Sequence, residues 1–477
     1  MSKEKKLRET DSILIDSVST SLSHKDENVK IVFKTANDSL MFLLKKIDDS
    51  NFRELSSING KDLTTYVAKK ILDIAKSNEI YLESEDGRMY VYNNAYWQMV
   101  ESELLKYFLK ESACRLGINE LTASSFHFVE KLYQQLILEG FNPMRKNKYE
   151  TKAVTLNCMN GTYVIEGETR GLKKFTPNDF LKYQLPFNYD SEAKCPMFDK
   201  YLDESVPDKE SQNLLAEAVS HSFTKINTQK FVILYGKGSN GKSVFADIIG
   251  ALLGKENVSN YPLSDLTSPT SRSLFHLSEN LLNFISEIDD ITDYSIFHKL
   301  VCKETVPVRR LYQDSWQMHE YASIMGNCNT LPRLRKPELS VAFYRRLSVI
   351  EFPKKIVNID TELANKIIKN ELAGVFNWVL KGLDRLLKQK NFSPCKRSDE
   401  ILREHRKESD NVALFIEEMN YKKGSNPILL KNVFESYKQF CEDFGYKPCN
   451  NSNLRKRFEN LGFFTKRINE GTVILMK

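Results

Sequence analysis

"YGKGSNGKSVFADIIGALLG", residues 235–254, packs three glycines, a lysine and a serine into one corner of a chain that holds 19 glycines in all. The apolar run "KFVILY" leads into it and a helical apolar pattern leads out, so the corner joins a strand to a helix. Gly236-Lys237-Gly238-Ser239-Asn240-Gly241-Lys242-Ser243 satisfies the pattern GxxxxGK[ST] in that context. Glycines let backbone N–H groups curl around a phosphate with no Cβ in the way, and the helix start, running on through Val244, adds the positive end of its dipole. Lys242 is expected to reach the outer phosphates of ATP and the Ser243 hydroxyl to take a Mg²⁺ ligand position. This is a nucleotide site.

Its supporting residues must come from neighbouring strands. From Lys230 to Pro353 short apolar runs alternate with helical segments, the pattern of an α/β domain, and "KFVILY", "LLNFIS", "YASIMGN" and "RLSVIEF" read as core strands. "NLLNFISEIDD" is apolar and then acidic. A carboxylate at that strand end can orient attacking water or metal-bound water; Glu287 leads, with Asp289 and Asp290 next, and Glu287 and Asp289 are also metal candidates. "IMGNCNTLP" offers Asn327 and Asn329, either of which can touch a γ-phosphate. "FYRRLSVIEFP" places Arg345 and Arg346 at a strand start, where an arginine offered to a neighbouring nucleotide stabilises charge in the transition state.

Outward from this core, 477 residues call for two to four domains. The composition, 41% apolar and 28% charged, is that of a globular protein. The N-terminus "MSKEKKLRETDS" lacks the apolar segment of a secretory signal and no run reaches membrane-spanning length, which points to a cytoplasmic protein with no membrane partner. The eight cysteines are scattered without a CxxC pair, fitting reduced structural thiols. A net charge of +6 is mild, so nucleic acid must be met by local basic patches.

The expected segments are 1–60, of no assignable role; 61–205, a mixed α+β domain holding the hairpin "RMYVYNNAYWQMV" and the strand pair "AVTLNCMNGTYVI"; 206–392, the P-loop domain; and 398–477, with "KQKNFSPCKRSDE" as a linker before it. In the last segment nine Lys or Arg stand against five acids from Lys431 to Lys477. "LKNVFESYKQFCEDFGY", "NSNLRKRFENLG" and "FFTKRINEGTVILMK" read as helix, helix and hairpin, a winged helix. Leu454, Phe458 and Leu461 form its buried stripe, leaving Arg455, Lys456 and Arg457 for a DNA groove and Lys466 and Arg467 for the wing.

The order of these motifs resembles superfamily-3 helicases of the AAA+ class, in the branch shared by phage and plasmid primase-helicases and the poxvirus primase-helicase. "NNAYWQMV", "LNCMNGTYVI", "LPFNYDSEAKCPMFDKYL", "GSNGKS", "NTLP" and "RRLSVIEF" carry the resemblance over most of the chain. Length and make-up are most similar to the replication initiators of staphylococcal pathogenicity islands and related mobile elements. The resemblance implies a multidomain α/β protein with an AAA+ core that binds ATP and Mg²⁺ at Gly241, Lys242 and Ser243. It implies a water-activating carboxylate at Glu287, a sensing asparagine at Asn329 or Asn327, and an arginine finger at Arg345 or Arg346. It also implies a homohexameric ring on single-stranded DNA, origin duplex binding, and contact with host replication proteins. One position departs: Ser286 stands where relatives often have a second acid. The hairpin expected within "LVCKETVPVRRLYQDSWQ" would present Lys303, Arg309 and Arg310 to phosphates and Tyr312 to a base. Two other readings stay open: a nucleotide-switched origin binder that recruits a host helicase, and a primase-helicase, for which the 60 residues ahead of the shared region are too few to hold a polymerising domain.

Overall fold

The computed structural model describes residues 32–48, 62–143, 153–289, 291–309, 316–332, 340–356, 360–408, 410–446 and 448–477. They fall into two compact units, one from residues 1–150 with 175–182, the other from 151–174 with 183–477.

In the first unit, helix α1 (Ala36–Asp48) buries Leu40, Leu43, Leu44 and Ile47 at i, i+3, i+4 and i+7, so this part of the 1–60 segment is a core helix. Helix α2 (Leu63–Ser77) packs beside it. An antiparallel sheet follows: β1 (Tyr81–Glu85), β2 (Arg88–Tyr92) and β3 (Trp97–Met99). Strands β2 and β3 and their Asn93-Asn94 turn are the expected hairpin. Strand β1 falls in a stretch whose periodicity suits a helix, although Asp86-Gly87 marks its own turn at positive φ. Trp97 is buried and its indole N–H donates to the Pro177 carbonyl at 2.9 Å. Helices α3 (Ser102–Arg115), α4 (Glu120–Ala123) and α5 (Phe126–Glu139) complete the unit.

The second unit opens with a meander of β4 (Val154–Cys158), β5 (Gly161–Glu166) and β6 (Thr169–Lys173). Together with α6 (Pro196–Ser205) these strands join the core of the larger unit, so the expected 61–205 segment is divided between the two. Helix α7 (Lys209–Ser220) leads to β7 (Phe231–Tyr235), α8 (Lys242–Leu253), β8 (Val258–Ser259), α9 (Leu263–Leu266), β9 (Leu282–Ile285) and α10 (Tyr294–Val301). A two-stranded hairpin, β10 (Val306–Val308) with β11 (Trp316–Met318), precedes β12 (Ser323–Cys328), α11 (Ser340–Tyr344) and β13 (Leu347–Glu351).

Five of these strands make one parallel sheet in the order β13-β7-β12-β9-β8. All four strands read from the sequence are in it, because a parallel sheet covered on both faces needs unbroken apolar runs. The two-residue edge strand β8 is too short to show such a run. From β7 the chain crosses to the far edge and works back, then places β13 on the other side of β7. That reversal opens a crevice at the carboxyl end of β7, where α/β sheets hold ligands.

Helix α12 (Leu363–Asn370) packs on α8 and α13 (Leu372–Gln389) on α7, both in the core that includes the sheet. Helix α14 (Lys396–Glu408) corrects the linker reading: Ile401 and Leu402 are buried, and the Ser398 hydroxyl accepts the Val349 N–H at 2.8 Å. It shields the outer edge of β13. The chain ends with α15 (Asn411–Glu418), β14 (Lys423–Leu429), α16 (Leu430–Asp443), α17 (Asn451–Asn460), β15 (Phe464–Ile468) and β16 (Gly471–Met476), the strands ordered β14-β16-β15 around a core of their own. Among the described residues no helix is long and apolar enough to cross a membrane.

Candidate functional site

Residues 236–241 form the loop between β7 and α8, and Lys242 and Ser243 open the helix. Gly236 is buried where a Cβ would lie 1.9 Å from Asn240 Nδ2 and 2.6 Å from the Phe352 carbonyl. The Asn240 amide spans that gap and donates to Phe352 O at 3.0 Å, pinning the loop to the end of β13. Gly241 turns the chain at φ +96° into α8. The N–H groups of residues 239–244 make no hydrogen bond within the protein among the described residues. A row of unpaired donors at a helix start is an anion cradle. Ser243 is exposed at its mouth, as are Lys237 and Ser239.

Lys242 is only 7% exposed, and its ammonium donates to Gly236 O (2.6 Å), Asn240 Oδ1 (3.0 Å) and Asn329 Oδ1 (3.3 Å). Burial pushes the amine below the usual lysine range, while the neighbouring Cys328 and Glu287 act the other way. Asn329 in turn donates to Glu287, through its N–H to Oε1 at 3.3 Å and its amide to Oε2 at 3.4 Å. Residues 42 and 87 positions apart in sequence are thus gathered at one end of the sheet. Of the two asparagines, Asn329 is at the site. Asn327 is buried with no partner for its Oδ1. Burial drives the adjacent Cys328 thiol up to about 12, so it is inert as a nucleophile.

Sequence reasoning missed Tyr201. Its hydroxyl donates to the Gly241 carbonyl at 2.8 Å, and a Cβ on Gly241 would meet its ring at 3.1 Å. The carboxylate of Glu371 accepts from Met197 N and Phe198 N, fixing the start of α6 and with it Tyr201. The signal was present in "PMFDKYL", but nothing local says what a tyrosine there touches.

The structure corrects several expected roles. Both Asp289 oxygens accept from Ser264, from its N–H at 2.9 Å and from its hydroxyl, so Asp289 anchors α9 and is not turned to the loop. Asp290, Arg310 and Tyr312 lie outside the described residues. Arg346 is 6% exposed, and its guanidinium donates to Ala342 O (2.7 Å) and Tyr294 Oη (3.4 Å), which leaves Arg345 as the exposed member of the pair. Both sit beside Phe231, at the opposite end of β7 from the loop. Lys303 turns inward: its ammonium donates to Tyr321 O at 2.8 Å and lies 5.0 Å from the Tyr321 ring centroid, and burial lowers it to about 7. Arg309 is exposed beside the hairpin strand.

In the C-terminal module Leu454 and Phe458 are buried, whereas Leu461 is 36% exposed and leaves the stripe. Arg457 pairs with Asp410 and is unavailable to a groove. Arg455 is exposed and bonded to Glu459 at 2.9 Å; Lys456, Lys466 and Arg467 are exposed. Among the described residues one mixed cluster, His298, Cys302 and Glu304, has the donor types of a metal site. One ligand atom from each lies within 4.8 Å of the other two, and His298 faces Cys302 with Nε2 (3.6 Å) and Glu304 with Nδ1 (3.7 Å).

Three family models match separate segments: D5 N terminal like over residues 68–207, a family of unknown function (DUF5906) over 234–346, and poxvirus D5 protein-like over 407–473. An uncharacterized mitochondrial protein of Marchantia polymorpha, ymf21, is 25% identical over 132 residues, which is 25% of this chain and 73% of that protein. Two apo structures of the NrS-1 C-terminal region superpose with TM-scores of 0.47 and 0.46 at 12% and 14% identity. They cover 87% and 85% of this chain, with 99% and 97% of their own. The D5-type matches thus fall on both sides of residues 236–243.

Proposed function

We propose that this chain is an ATP-dependent DNA helicase and replication initiator of a mobile genetic element, of the superfamily-3 AAA+ kind, working as a homohexameric ring. The observation that carries the reading is the Lys242–Asn329–Glu287 cluster beside a row of unpaired N–H groups at the open end of a parallel sheet. The D5-like segments support a replication protein of the primase-helicase type.

The residues present fit a nucleoside triphosphate with Mg²⁺. Residues 236–244 would hold its phosphates, Lys242 their charge, and Ser243 a metal ligand position; the bound triphosphate supplies a cleavable phosphoanhydride. Glu287 orients and deprotonates the attacking water. Asn329, bonded to both Lys242 and Glu287, links occupancy of the cradle to the position of that base. Arg345 stands at the far end of β7 from its own loop, beyond the roughly 16 Å rise of a five-residue strand, which supports a role at a neighbour's site. A protein that needs its neighbour's arginine is active only when assembled.

The assignment proposed is a D5-like segment over 61–205, whose later part joins the core of the larger unit, an ATPase over 206–392 with α14 on its sheet edge, and a winged helix within 398–477 after α14, with Arg455, Lys456, Lys466 and Arg467 facing origin duplex. Arg309, and Arg310 and Tyr312 beyond it, are proposed to face single-stranded DNA in the channel. Unwinding of a forked duplex with ATP is the test. Wild type is expected to separate strands and Lys242→Ala to lose both ATPase and unwinding; unwinding that survives the substitution refutes the motor. ATPase with no unwinding points instead to a nucleotide switch that hands DNA to a host helicase.

A further inference from the structure

We infer that α10 is a lever between the nucleotide site and the β10–β11 hairpin, and that Tyr321 is the positioning residue at its joint; the inference rests on the motor reading above. At eight residues α10 spans about 12 Å. Its first end is tied to the ATPase core. Asp293 caps the helix itself through Ser295 N and Ile296 N; the ties outward are Thr292, bonded to Thr267 and to the Ser264 carbonyl, and the Tyr294 hydroxyl, which accepts from Arg346. The same Ser264 holds Asp289, two residues after Glu287.

The other end is tied to both feet of the hairpin. The last carbonyls of a helix have no partner within it. Here the Tyr321 hydroxyl lies 3.0 Å from Lys299 O, 3.5 Å from Leu300 O and 2.9 Å from Glu304 O. Its one proton is shared among them. Returning the tie, Lys303 donates across to the Tyr321 carbonyl at 2.8 Å. Lys303 adopts φ +52°, a conformation that an L-residue keeps only where its surroundings insist on it. The chain enters the hairpin just after Lys303 and leaves it just before Tyr321. A shift of α10 therefore carries the hairpin as a body. A separate rung, Thr305 Oγ1 to His319 Nδ1 at 3.0 Å, joins the two feet to each other without touching the helix, and supplies the control.

Tyr321→Phe in the full chain keeps the ring and removes only the hydroxyl. Expected are basal ATPase and single-strand affinity within about twofold of wild type, with DNA stimulation of ATPase and unwinding per ATP reduced about tenfold. Thr305→Val should leave stimulation intact. Equal loss in Thr305→Val overturns the inference, because hairpin integrity would then explain both. Should Tyr321→Phe not fold, Lys303→Met removes the reciprocal bond and carries the same expectation. A wild type stimulated by DNA beside an unaltered Tyr321→Phe or Lys303→Met sinks the lever alone; a wild type with no DNA-stimulated ATPase sinks the motor reading and the lever with it.

Discussion

Gly236→Ala tests the cradle at its tightest point. The new methyl would fall 1.9 Å from Asn240 Nδ2 and 2.6 Å from the Phe352 carbonyl, one a side chain that can move and the other backbone that cannot easily do so. Asn240 must swing away, which breaks its bond to Phe352 O and withdraws Oδ1 from Lys242. A buried carbonyl left unpaired costs about 1–3 kcal/mol, and the remaining backbone clash brings the total to about 2–4 kcal/mol. The unfolding transition of the larger unit should drop by about 3–6 °C. Lys242 loses its lateral support at the same time, so affinity for an ATP analogue should fall by about tenfold or more, or 1.4 kcal/mol. Gly238→Ala is the internal comparison: open space surrounds it, but its φ of +85° costs an L-residue about 1–2 kcal/mol. Melting curves and fluorescent-nucleotide titration read both quantities. A Gly236→Ala protein that melts and binds nucleotide like wild type, or no worse than Gly238→Ala, refutes the packing argument.

His221 is buried between the Ser323 hydroxyl and the Ile226 carbonyl, and burial lowers it to about 3. The unfolded chain takes up this proton near pH 6.5 and the folded one does not. Stability from this group is therefore full above pH 6.5 and lost as pH falls, by about 2 kcal/mol between pH 7 and pH 5; urea titrations of wild type and His221→Gln should differ by that slope, and parallel lines contradict it. Arg346→Ala should destabilise the larger unit by about 1–3 kcal/mol, since it strips a donor from Ala342 O and Tyr294, whereas Arg345→Ala should leave the melting temperature unchanged. In the tail, Arg455→Ala, Lys456→Ala, Lys466→Ala and Arg467→Ala together should flatten the slope of log affinity for duplex against log salt, by about 0.9 for each phosphate no longer neutralised. Arg457→Ala should lower stability instead, and an unchanged slope in the fourfold variant rejects this surface. Any truncation that removes the C-terminal module belongs after Glu408, because a cut at 398 removes α14 from the edge of β13.

How much of this was readable depends on the range of the interaction involved. The loop 236–243 announces itself, since its chemistry rests on adjacent residues, and the four long strands of the sheet do so through unbroken apolar runs. Asn329 and Asn327 were indistinguishable in "GNCNTLP"; only the closure of the sheet sets one against Lys242 and buries the other. Arg346 and Lys303 carry charge, and a charge in a turn reads as a solvated contact until the carbonyls that receive it are visible. Arg457 misled for the same reason: its partner, Asp410, lies 47 residues upstream. Helix α14 looked like a linker because Lys396, Arg397 and Asp399 crowd its first turn, while the residues that pack, Ile401 and Leu402, follow later. Tyr201 and Tyr321 act through single hydroxyls on distant carbonyls, a kind of contact that leaves no periodic trace.

Mixing two inactive proteins probes the shared site most directly. Lys242→Ala removes the cradle's charge and keeps Arg345; Arg345→Ala keeps the cradle and removes the arginine. If each site is built from two subunits, co-assembly of equal amounts regenerates intact sites at about a quarter of the interfaces and restores about that share of wild-type ATPase. Co-assembled mixtures that stay as inactive as either parent contradict the account.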